Sequence, residues 1–199
     1  MRIIGILGGI AGGKSTVAGM LSRLGAGLLD ADRAGHEVLR LSEVEAKLRK
    51  YFGDEPFGPD GHIDRKRLAA TVFGDSPAQR EKRAFLEQVA HPEIGHLLGE
   101  QAEAMRAEGT QVAVLDAPLL LEAGWGGMCE KLIFVDAPRM TRLRRALARG
   151  WSEEDFAARE GAQMSVDLKR RRADVIVDGS GSLEQTQAQV EHLWKSLVD

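Results

Sequence analysis

A glycine-rich segment that follows an apolar run constrains this chain more than any other feature. Residues 2–7, RIIGIL, lead directly into GGIAGGKST at residues 8–16, where four of the nine residues are glycine. The pattern Gly8-x-x-x-x-Gly13-Lys14-Ser15 is typical of a phosphate-binding loop between a strand and a helix. Such a loop turns its backbone N–H groups toward an anion, and the N-terminus of the following helix adds partial positive charge. The segment therefore predicts a site for a nucleoside triphosphate.

The residues that end this loop have separate chemical uses. Lys14 has the length to reach the β- and γ-phosphates, and the Ser15 hydroxyl is a ligand type that Mg²⁺ accepts. The alternative is a glycine-rich turn before an ordinary helix. The apolar run before the loop and the helical pattern KSTVAGMLSRLG after it favour the nucleotide site.

Five short apolar runs predict the strands of a buried sheet. Most are continuously apolar, which is typical of a parallel sheet covered by helices on both faces. Helical patterns separate the runs, so we predict an α/β fold with a five-stranded, mostly parallel sheet. The runs are residues 3–7, 26–30, 112–117, 132–136 and 174–178. The last helix, predicted from residue 182 onward, has Leu183, Val190, Leu193 and Leu197 near one face, and we expect that face to pack on the sheet.

Two inserts interrupt the alternation of strand and helix. The first lies between the second and third runs, is much longer than one crossover helix needs, and has helical periodicity. It either holds a substrate or merely covers the sheet. The second insert, residues 137–173, has ten Lys and Arg against five Asp and Glu, a local charge of +5 in a chain whose net charge is −3.

Composition excludes several classes of function. The chain has 43% hydrophobic and 29% charged residues, which indicates a soluble globular protein, and its net charge of −3 argues against a dedicated nucleic-acid binder. No apolar run is long enough to cross a membrane and no signal peptide is recognisable, so we expect no membrane association and a cytoplasmic location. The chain contains no asparagine, so the Asn-Lys-x-Asp element of guanine-specific switches is absent. A small-molecule kinase is favoured over a GTPase-like switch or a motor ATPase.

Carboxylates follow the predicted strands at the edge where open α/β sheets bind ligands. Asp30 and Asp32 follow the second strand, and in an extended chain their side chains would point the same way. Asp32 is either a general base for a substrate hydroxyl or the N-cap of the next helix. Asp116 ends the third strand, where a residue that supports Mg²⁺ is expected. The role of Glu122 stays open.

The basic insert supplies candidate arginines for phosphoryl transfer. Guanidinium groups stabilise the charge that develops on the transferred phosphoryl group. Arg145 and Arg149 are four residues apart and would share a helix face. The alternatives are a solvated basic helix or a nucleic-acid patch. The run KRRR, residues 169–172, is interpreted as solvated and receives no catalytic role.

These residues together resemble the dephospho-coenzyme A kinase family over nearly the whole chain. The resemblance rests on an ordered set of segments and not on the loop alone. The matching segments are the glycine loop with Asp-x-Asp (residues 4–32), AHPEI (90–94), LDAPLLLE (115–122), VDAPRMTRLRRALARG (135–150) and RRADVIVDGSGSLE (171–184).

The resemblance implies transfer of the ATP γ-phosphate to the 3′-hydroxyl of dephospho-CoA, with Mg²⁺. It implies a P-loop kinase core, a helical coenzyme-A domain and a lid. We assign the core to residues 1–31, 109–138 and 173–199, the coenzyme-A domain to 32–108 and the lid to 139–172. We expect a monomer or a weak homo-oligomer.

The resemblance also implies residue roles. Asp32 would be the general base, with Lys14, Arg145 and Arg149 as further catalytic residues. His91 is left open between a substrate contact and a helix interrupted at Pro92. The nucleotide would be held by Ala11, Gly12, Gly13, Lys14, Ser15 and Thr16; the acceptor by Asp32, His91, Asp116 and Leu119; and the metal by Ser15 and Asp116.

Two positions depart from the family pattern. The family usually has glycine where this loop has Ala11, and often has asparagine where this chain has Asp178. An ionised Asp only accepts hydrogen bonds, whereas Asn also donates. The preference for ATP over GTP therefore stays open.

Overall fold

The computed structural model of the chain describes residues 1–74 and 76–198. The chain divides into two compact units: the first consists of Met1–Asp30 and Gln101–Asp199, and the second of Ala31–Glu100. The roles assigned from the sequence, substrate binding for 32–108 and a lid for 139–172, stay predictions. Among the described residues, no helix combines the length and the hydropathy that crossing a membrane requires.

A parallel five-stranded sheet forms the centre of the first unit, in the order β2-β3-β1-β4-β5. All five predicted strands are confirmed, and each strand end agrees with the prediction or differs from it by one residue. The continuous apolar runs become buried strands because helices cover both faces. The strands are β1 (Arg2–Gly8), β2 (Gly27–Asp30), β3 (Val112–Asp116), β4 (Lys131–Asp136) and β5 (Val175–Asp178).

Helices α1 (Lys14–Arg23) and α9 (Leu183–Val198) contribute to the main apolar core of the first unit. Their side chains pack with strand residues such as Ile4 and Val114, which are fully buried. The predicted inward face of the last helix is confirmed at its buried residues, Val190, Leu193 and Leu197. It is wrong at Leu183, which is 65% exposed because it is the first residue of α9 and precedes the packed turns.

The second unit consists of helices, as the periodicity of the insert predicts. Asp64 caps its third helix, because its side chain accepts hydrogen bonds from the N–H groups of Lys66 and Arg67. The helices are α2 (Ala31–Val38), α3 (Ser42–Phe52), α4 (Arg65–Val72) and α5 (Pro77–Ala107). The boundary between the units falls within α5, and Pro92 lies inside this helix without ending it. The suggested interruption of the helix at Pro92 is therefore wrong.

The basic insert of the first unit forms three short helices. Ser152 and Asp155 make a reciprocal capping box at the start of the second of them, which fixes that helix end. The helices are α6 (Arg139–Leu147), α7 (Glu153–Gly161) and α8 (Val166–Arg171). A small apolar cluster joins α6 and α7 to the glycine loop. It contains Ala11, Leu143, Ala146 and Phe156, with Ile10 and Trp151 packed against it.

Candidate active site

The glycine loop connects the end of β1 to the N-terminus of α1. Its turn is closed by a hydrogen bond of 3.0 Å from the Gly12 N–H to the Gly9 carbonyl oxygen. Gly13 has φ 104°, a left-handed conformation that glycine adopts without strain, and it precedes the first helical residue. No side chain caps this helix end and its first turn has no acidic residue. The first backbone N–H groups of α1 therefore remain suited to an anion.

The polar residues of the predicted nucleotide site lie together on this loop and on the first turn of α1. The Nζ atom of Lys14 lies 3.3 Å from the carbonyl oxygen of Gly8 and 3.2 Å from that of Gly9. Ser15 and Thr16 are exposed at the helix start. The loop thus combines backbone donors, a cation and two hydroxyl groups within a few residues.

Ala11 has φ 55°, and it is the one non-glycine residue with positive φ in the part of the chain that the structure describes. This conformation costs a residue with a Cβ about 1–2 kcal/mol, which gives a physical reason for a glycine at this position. Ala11 is nevertheless 7% exposed and packs with Leu143, Ala146 and Phe156. The buried methyl group partly offsets the backbone strain.

Two carboxylates lie side by side at the carboxyl edge of the sheet. Asp30 ends β2 and pairs in register with Asp116, the last residue of β3. Asp116 is also in register with Ile6 of β1, the strand that leads into the glycine loop. Both carboxylates are half-buried. The structure therefore places Asp116 at the edge where open parallel sheets bind ligands.

Asp32 lies in the first turn of α2, which begins at Ala31. Its side chain is exposed. The suggested N-cap role is wrong, because Asp32 is the second residue inside the helix. The extended geometry expected for Asp30 and Asp32 is also wrong, because the chain turns into a helix directly after β2. Asp32 and His91, a half-buried residue of α5, both belong to the second unit, and their site roles stay predictions.

The two predicted lid arginines have different environments. Arg145 is half-buried and donates hydrogen bonds of 3.1 Å to the Gly12 carbonyl oxygen and 2.6 Å to the Gly179 carbonyl oxygen. It thereby joins the glycine loop to the segment after β5. Arg149 is exposed and lies beyond the last residue of α6, Leu147. The prediction of a shared helix face is therefore wrong, because the helix ends between the two arginines.

The solvated interpretation of the KRRR run is wrong for Lys169. Its side chain is 2% exposed, and its Nζ atom lies 2.9 Å from Oε1 of Glu122. The ammonium group also donates to the Pro118 carbonyl oxygen at 3.1 Å and to Oε1 of Gln163 at 3.2 Å. Every proton of the ammonium group has an acceptor, which makes its burial tolerable. Sequence reasoning missed Lys169 because it belongs to a run of four basic residues, and such a run is usually solvated.

The Glu122 side chain is 21% exposed and is held by contacts from two segments, α8 and the residues before it. Its Oε1 atom also accepts a 2.8 Å hydrogen bond from the Met164 N–H. Burial alone would raise the pKa of Glu122, but the hydrogen bonds from Lys169 and Met164 outweigh it and hold the pKa below its usual value. Glu122 and Lys169 thus tie the segment after β3 to α8.

Comparison with known proteins finds similarity over nearly the whole chain. The family model described as dephospho-CoA kinase matches residues 2–185. A curated dephospho-CoA kinase of Symbiobacterium thermophilum is 43% identical over 198 residues, which cover 98% of this chain and 81% of the relative. The chain belongs to the dephospho-CoA kinase family.

Two solved structures share the fold over nearly the full chain. A Thermus thermophilus protein is similar with a TM-score of 0.82 and 37% identity, covering 100% of this chain and 98% of its own. The Campylobacter jejuni dephospho-CoA kinase has a TM-score of 0.65 at 24% identity, covering 98% and 97%, and bears on the fold alone. The family and the P-loop kinase fold implied by the sequence are therefore confirmed.

The remaining family positions have identifiable local roles. Leu119 is half-buried, and its carbonyl oxygen accepts a 2.8 Å hydrogen bond from the Ala123 N–H in the turn after β3. Asp178 accepts a 2.8 Å hydrogen bond from the Ser180 N–H. Hydrogen bonds from the Ser180 side chain and backbone lower the pKa of Asp178, so this carboxylate is ionised at neutral pH.

A metal ion at this edge would depend on ligands besides protein carboxylates. Within the described residues, no three His, Cys, Asp or Glu side chains form a group that could hold a metal. Mg²⁺ in phosphoryl-transfer sites is usually bound by one or two protein ligands together with phosphate oxygens and water. The exposed Ser15 hydroxyl and the half-buried Asp116 carboxylate fit that chemistry.

Proposed function

We propose that this chain is an ATP-dependent dephospho-CoA kinase. It transfers the γ-phosphoryl group of ATP to the 3′-hydroxyl of the ribose of dephospho-CoA, which yields coenzyme A and ADP. The observation that carries the proposal is the family match over residues 2–185, because it includes the nucleotide loop and the two inserts. The geometry of the loop supports the choice of a nucleoside triphosphate as donor.

The glycine loop binds the phosphates of the donor. The N–H groups at the start of α1 have no side-chain cap, and the Lys14 ammonium group lies on the loop beside the Gly8 and Gly9 carbonyl oxygens. Both supply positive potential at the loop. Arg145 and Arg149 stabilise the charge on the equatorial oxygens during transfer. Arg145 already contacts the loop through the Gly12 carbonyl oxygen.

Ser15 and Asp116 are the proposed Mg²⁺ ligands. Bound Mg²⁺ neutralises the charge of the β- and γ-phosphates. Asp116 lies in the strand next to β1, at the carboxyl edge where β1 leads into the loop that carries Ser15. Its in-register neighbour Asp30 adds a second carboxylate at the same edge.

Asp32 is the proposed general base. It accepts the proton of the ribose 3′-hydroxyl while the hydroxyl oxygen forms a bond to the γ-phosphorus. The bond from the γ-phosphorus to the bridging oxygen breaks, and ADP leaves. His91, Asp116 and Leu119 are the proposed further contacts to the acceptor. We also propose a cytoplasmic location and a monomer or weak homo-oligomer, in keeping with the metabolic family and with no nucleic-acid or membrane partner.

Acceptor selectivity tests the function directly. The purified chain with MgATP should phosphorylate dephospho-CoA at the 3′ position, with adenosine and AMP as much poorer acceptors. The product is identified by mass spectrometry and by its 3′-phosphate in NMR. Equal or faster turnover of the smaller acceptors would refute the coenzyme assignment, and nucleotide binding without any transfer would indicate a nucleotide-binding regulator.

A further inference from the structure

Arg142 is the buried arginine of the basic insert. Its residue exposure is 4%, although it lies in α6 between exposed basic neighbours. Its Nε atom donates to the Ala137 carbonyl oxygen at 3.1 Å, and its Nη1 atom donates to Oε1 of Glu160 at 2.6 Å. Glu160 belongs to α7, so the ion pair links two helices of the insert.

The guanidinium group of Arg142 also lies against the backbone of the glycine loop. A Cβ atom added to Gly9 would lie 2.7 Å from Nη1, 2.8 Å from Cζ and 2.9 Å from Nε of Arg142. These distances leave no room for a side chain at residue 9. The guanidinium is held by Ala137 and Glu160 and is therefore not free to move aside.

Gly9 is a central residue of the loop's internal hydrogen bonding. Its carbonyl oxygen accepts the Gly12 N–H at 3.0 Å and the Nζ atom of Lys14 at 3.2 Å. The residue that Arg142 touches is thus the one that orients a loop amide and the loop lysine. Gly9, Arg142 and Glu160 also line one cavity of about 430 Å³ beside the loop.

Glu160 is suited to hold Arg142 in one orientation. Partial burial raises the pKa of Glu160, but hydrogen bonds from Arg142 and Arg139 outweigh that effect and lower the pKa. The carboxylate is therefore ionised at neutral pH. Its second oxygen accepts from Nε of Arg139 at 2.9 Å, and the Arg139 side chain is 48% exposed.

We propose that Arg142 and Glu160 are positioning residues that fix the glycine loop in the shape that binds the nucleotide. Arg142 acts through Gly9, and Glu160 acts through Arg142. The inference rests on the proposed nucleotide site of the kinase but not on the identity of the acceptor. Pre-organised loops bind more tightly because less conformational freedom is lost on binding.

Nucleotide affinity measured without acceptor tests this proposal. The variants are Arg142→Gln, Glu160→Gln and the double variant, with ADP and ATP titrated by calorimetry. Loss of a charged hydrogen bond corresponds to roughly a 10-fold change, so we expect about a 10-fold higher Kd for Arg142→Gln and about a 3-fold higher Kd for Glu160→Gln. The double variant should bind no more weakly than Arg142→Gln. Arg142→Lys, which keeps the charge but not the two-point fork, should restore only part of the affinity.

Arg139→Gln is the matched control, because Arg139 binds the same carboxylate with a half-exposed side chain, whereas the atoms nearest to Gly9 belong to Arg142. Its Kd should stay within about 2-fold of that of the unmodified chain, as expected for a half-exposed ion pair. The KM for the acceptor should also be unchanged in Arg142→Gln. Gly9→Ala should weaken nucleotide binding in the unmodified chain and do so less in an Arg142→Ala background, where the clash is removed.

Three outcomes would overturn the proposal. Arg142→Gln with unchanged Kd and a lower melting temperature would make the pair a stabilising contact only. Independent, multiplying effects of the two single variants would show that Glu160 does not act through Arg142. If Arg139→Gln lost as much nucleotide affinity as Arg142→Gln, the effect would come from the removal of any positive charge near the loop and not from the contact with Gly9. Failure of the chain to phosphorylate dephospho-CoA would refute the acceptor while leaving these nucleotide measurements intact.

Discussion

Lys169 and Glu122 form an ion pair in which Nζ and Oε1 are 2.9 Å apart and the lysine side chain is 2% exposed. The pair lies where the segment after β3 meets α8. The ammonium group also binds the Pro118 carbonyl oxygen, so it fixes the backbone of the same segment that carries Leu119. A buried charge held this way is costly to leave without its partner.

Removal of the lysine should therefore destabilise the fold strongly. For Lys169→Ala we expect the free energy of unfolding to fall by about 3 kcal/mol, because Glu122 loses its counter-ion in a partly buried place. Urea denaturation measures this change. Arg170→Ala is the matched control: Arg170 pairs with Asp136 at 3.0 Å but its side chain is 52% exposed. Its effect should stay below about 1 kcal/mol, and equal effects of the two variants would contradict the structural role of Lys169.

The same pair predicts a pH dependence of stability. The pKa of Glu122 is lowered in the folded chain from a usual value of 4.5. A lowered folded pKa adds stability above the unfolded pKa, and this stability is lost as the pH falls through the folded value. Glu122→Gln removes this contribution.

The measurement is the free energy of unfolding of both proteins from neutral pH to below the lowered pKa of Glu122. Other carboxylates with lowered pKa values, such as Glu160, affect both proteins alike, so the difference between the two curves isolates Glu122. The advantage of the unmodified chain should be constant above the usual value of 4.5 and should shrink below it. A difference that does not vary with pH would contradict the assigned cause.

Asp32→Asn tests the general base. We expect kcat to fall by roughly 10²-fold or more, because asparagine cannot accept the proton of the ribose hydroxyl. The Kd for ATP should be nearly unchanged, since the glycine loop is untouched. Glu37→Gln is a suitable control, because Glu37 lies in the same helix and pairs with Arg33 at 3.1 Å on an exposed surface. Near-normal kcat in Asp32→Asn would leave that residue with a structural role only.

The sequence predicts the sheet well because its signals are local. Continuous apolar runs, the helical periods between them and the loop pattern each depend on neighbouring residues, and all five strands are confirmed. Arg142 and Lys169 escape such reasoning. An arginine in a basic helix, or a lysine in a KRRR run, has the same local signal whether it is solvated or buried. Their burial depends on acceptors that the fold supplies from elsewhere, the Ala137 carbonyl oxygen and Glu160 in one case and Glu122 in the other.

Helix ends are a second feature that the sequence predicts less accurately than the strands. The spacing of Arg145 and Arg149 predicts a shared helix face, and one of the two interpretations of Asp32 is an N-cap. The structure ends α6 at Leu147 and begins α2 at Ala31, so the shared face and the cap are wrong by one or two residues. A cap such as Asp64 before α4 has a recognisable sequence pattern, because its side chain accepts from the N–H groups of Lys66 and Arg67.

Substitution at Ala11 separates backbone strain from packing. Ala11 has φ 55° and a buried methyl group. Ala11→Gly relieves about 1 kcal/mol of backbone strain. It also removes the methyl contact and raises the entropy of the unfolded chain, and both effects oppose that gain. The free energy of unfolding should therefore change by less than about 1 kcal/mol. Ala11→Val should lower it by more than about 2 kcal/mol, because a β-branched residue fits neither this φ nor the cluster with Leu143 and Phe156. Both values come from urea denaturation, with the Kd for ATP measured in parallel. A large loss of stability in Ala11→Gly would mean that packing against α6 and α7 outweighs the strain. Unchanged stability in Ala11→Val would contradict the left-handed conformation of Ala11.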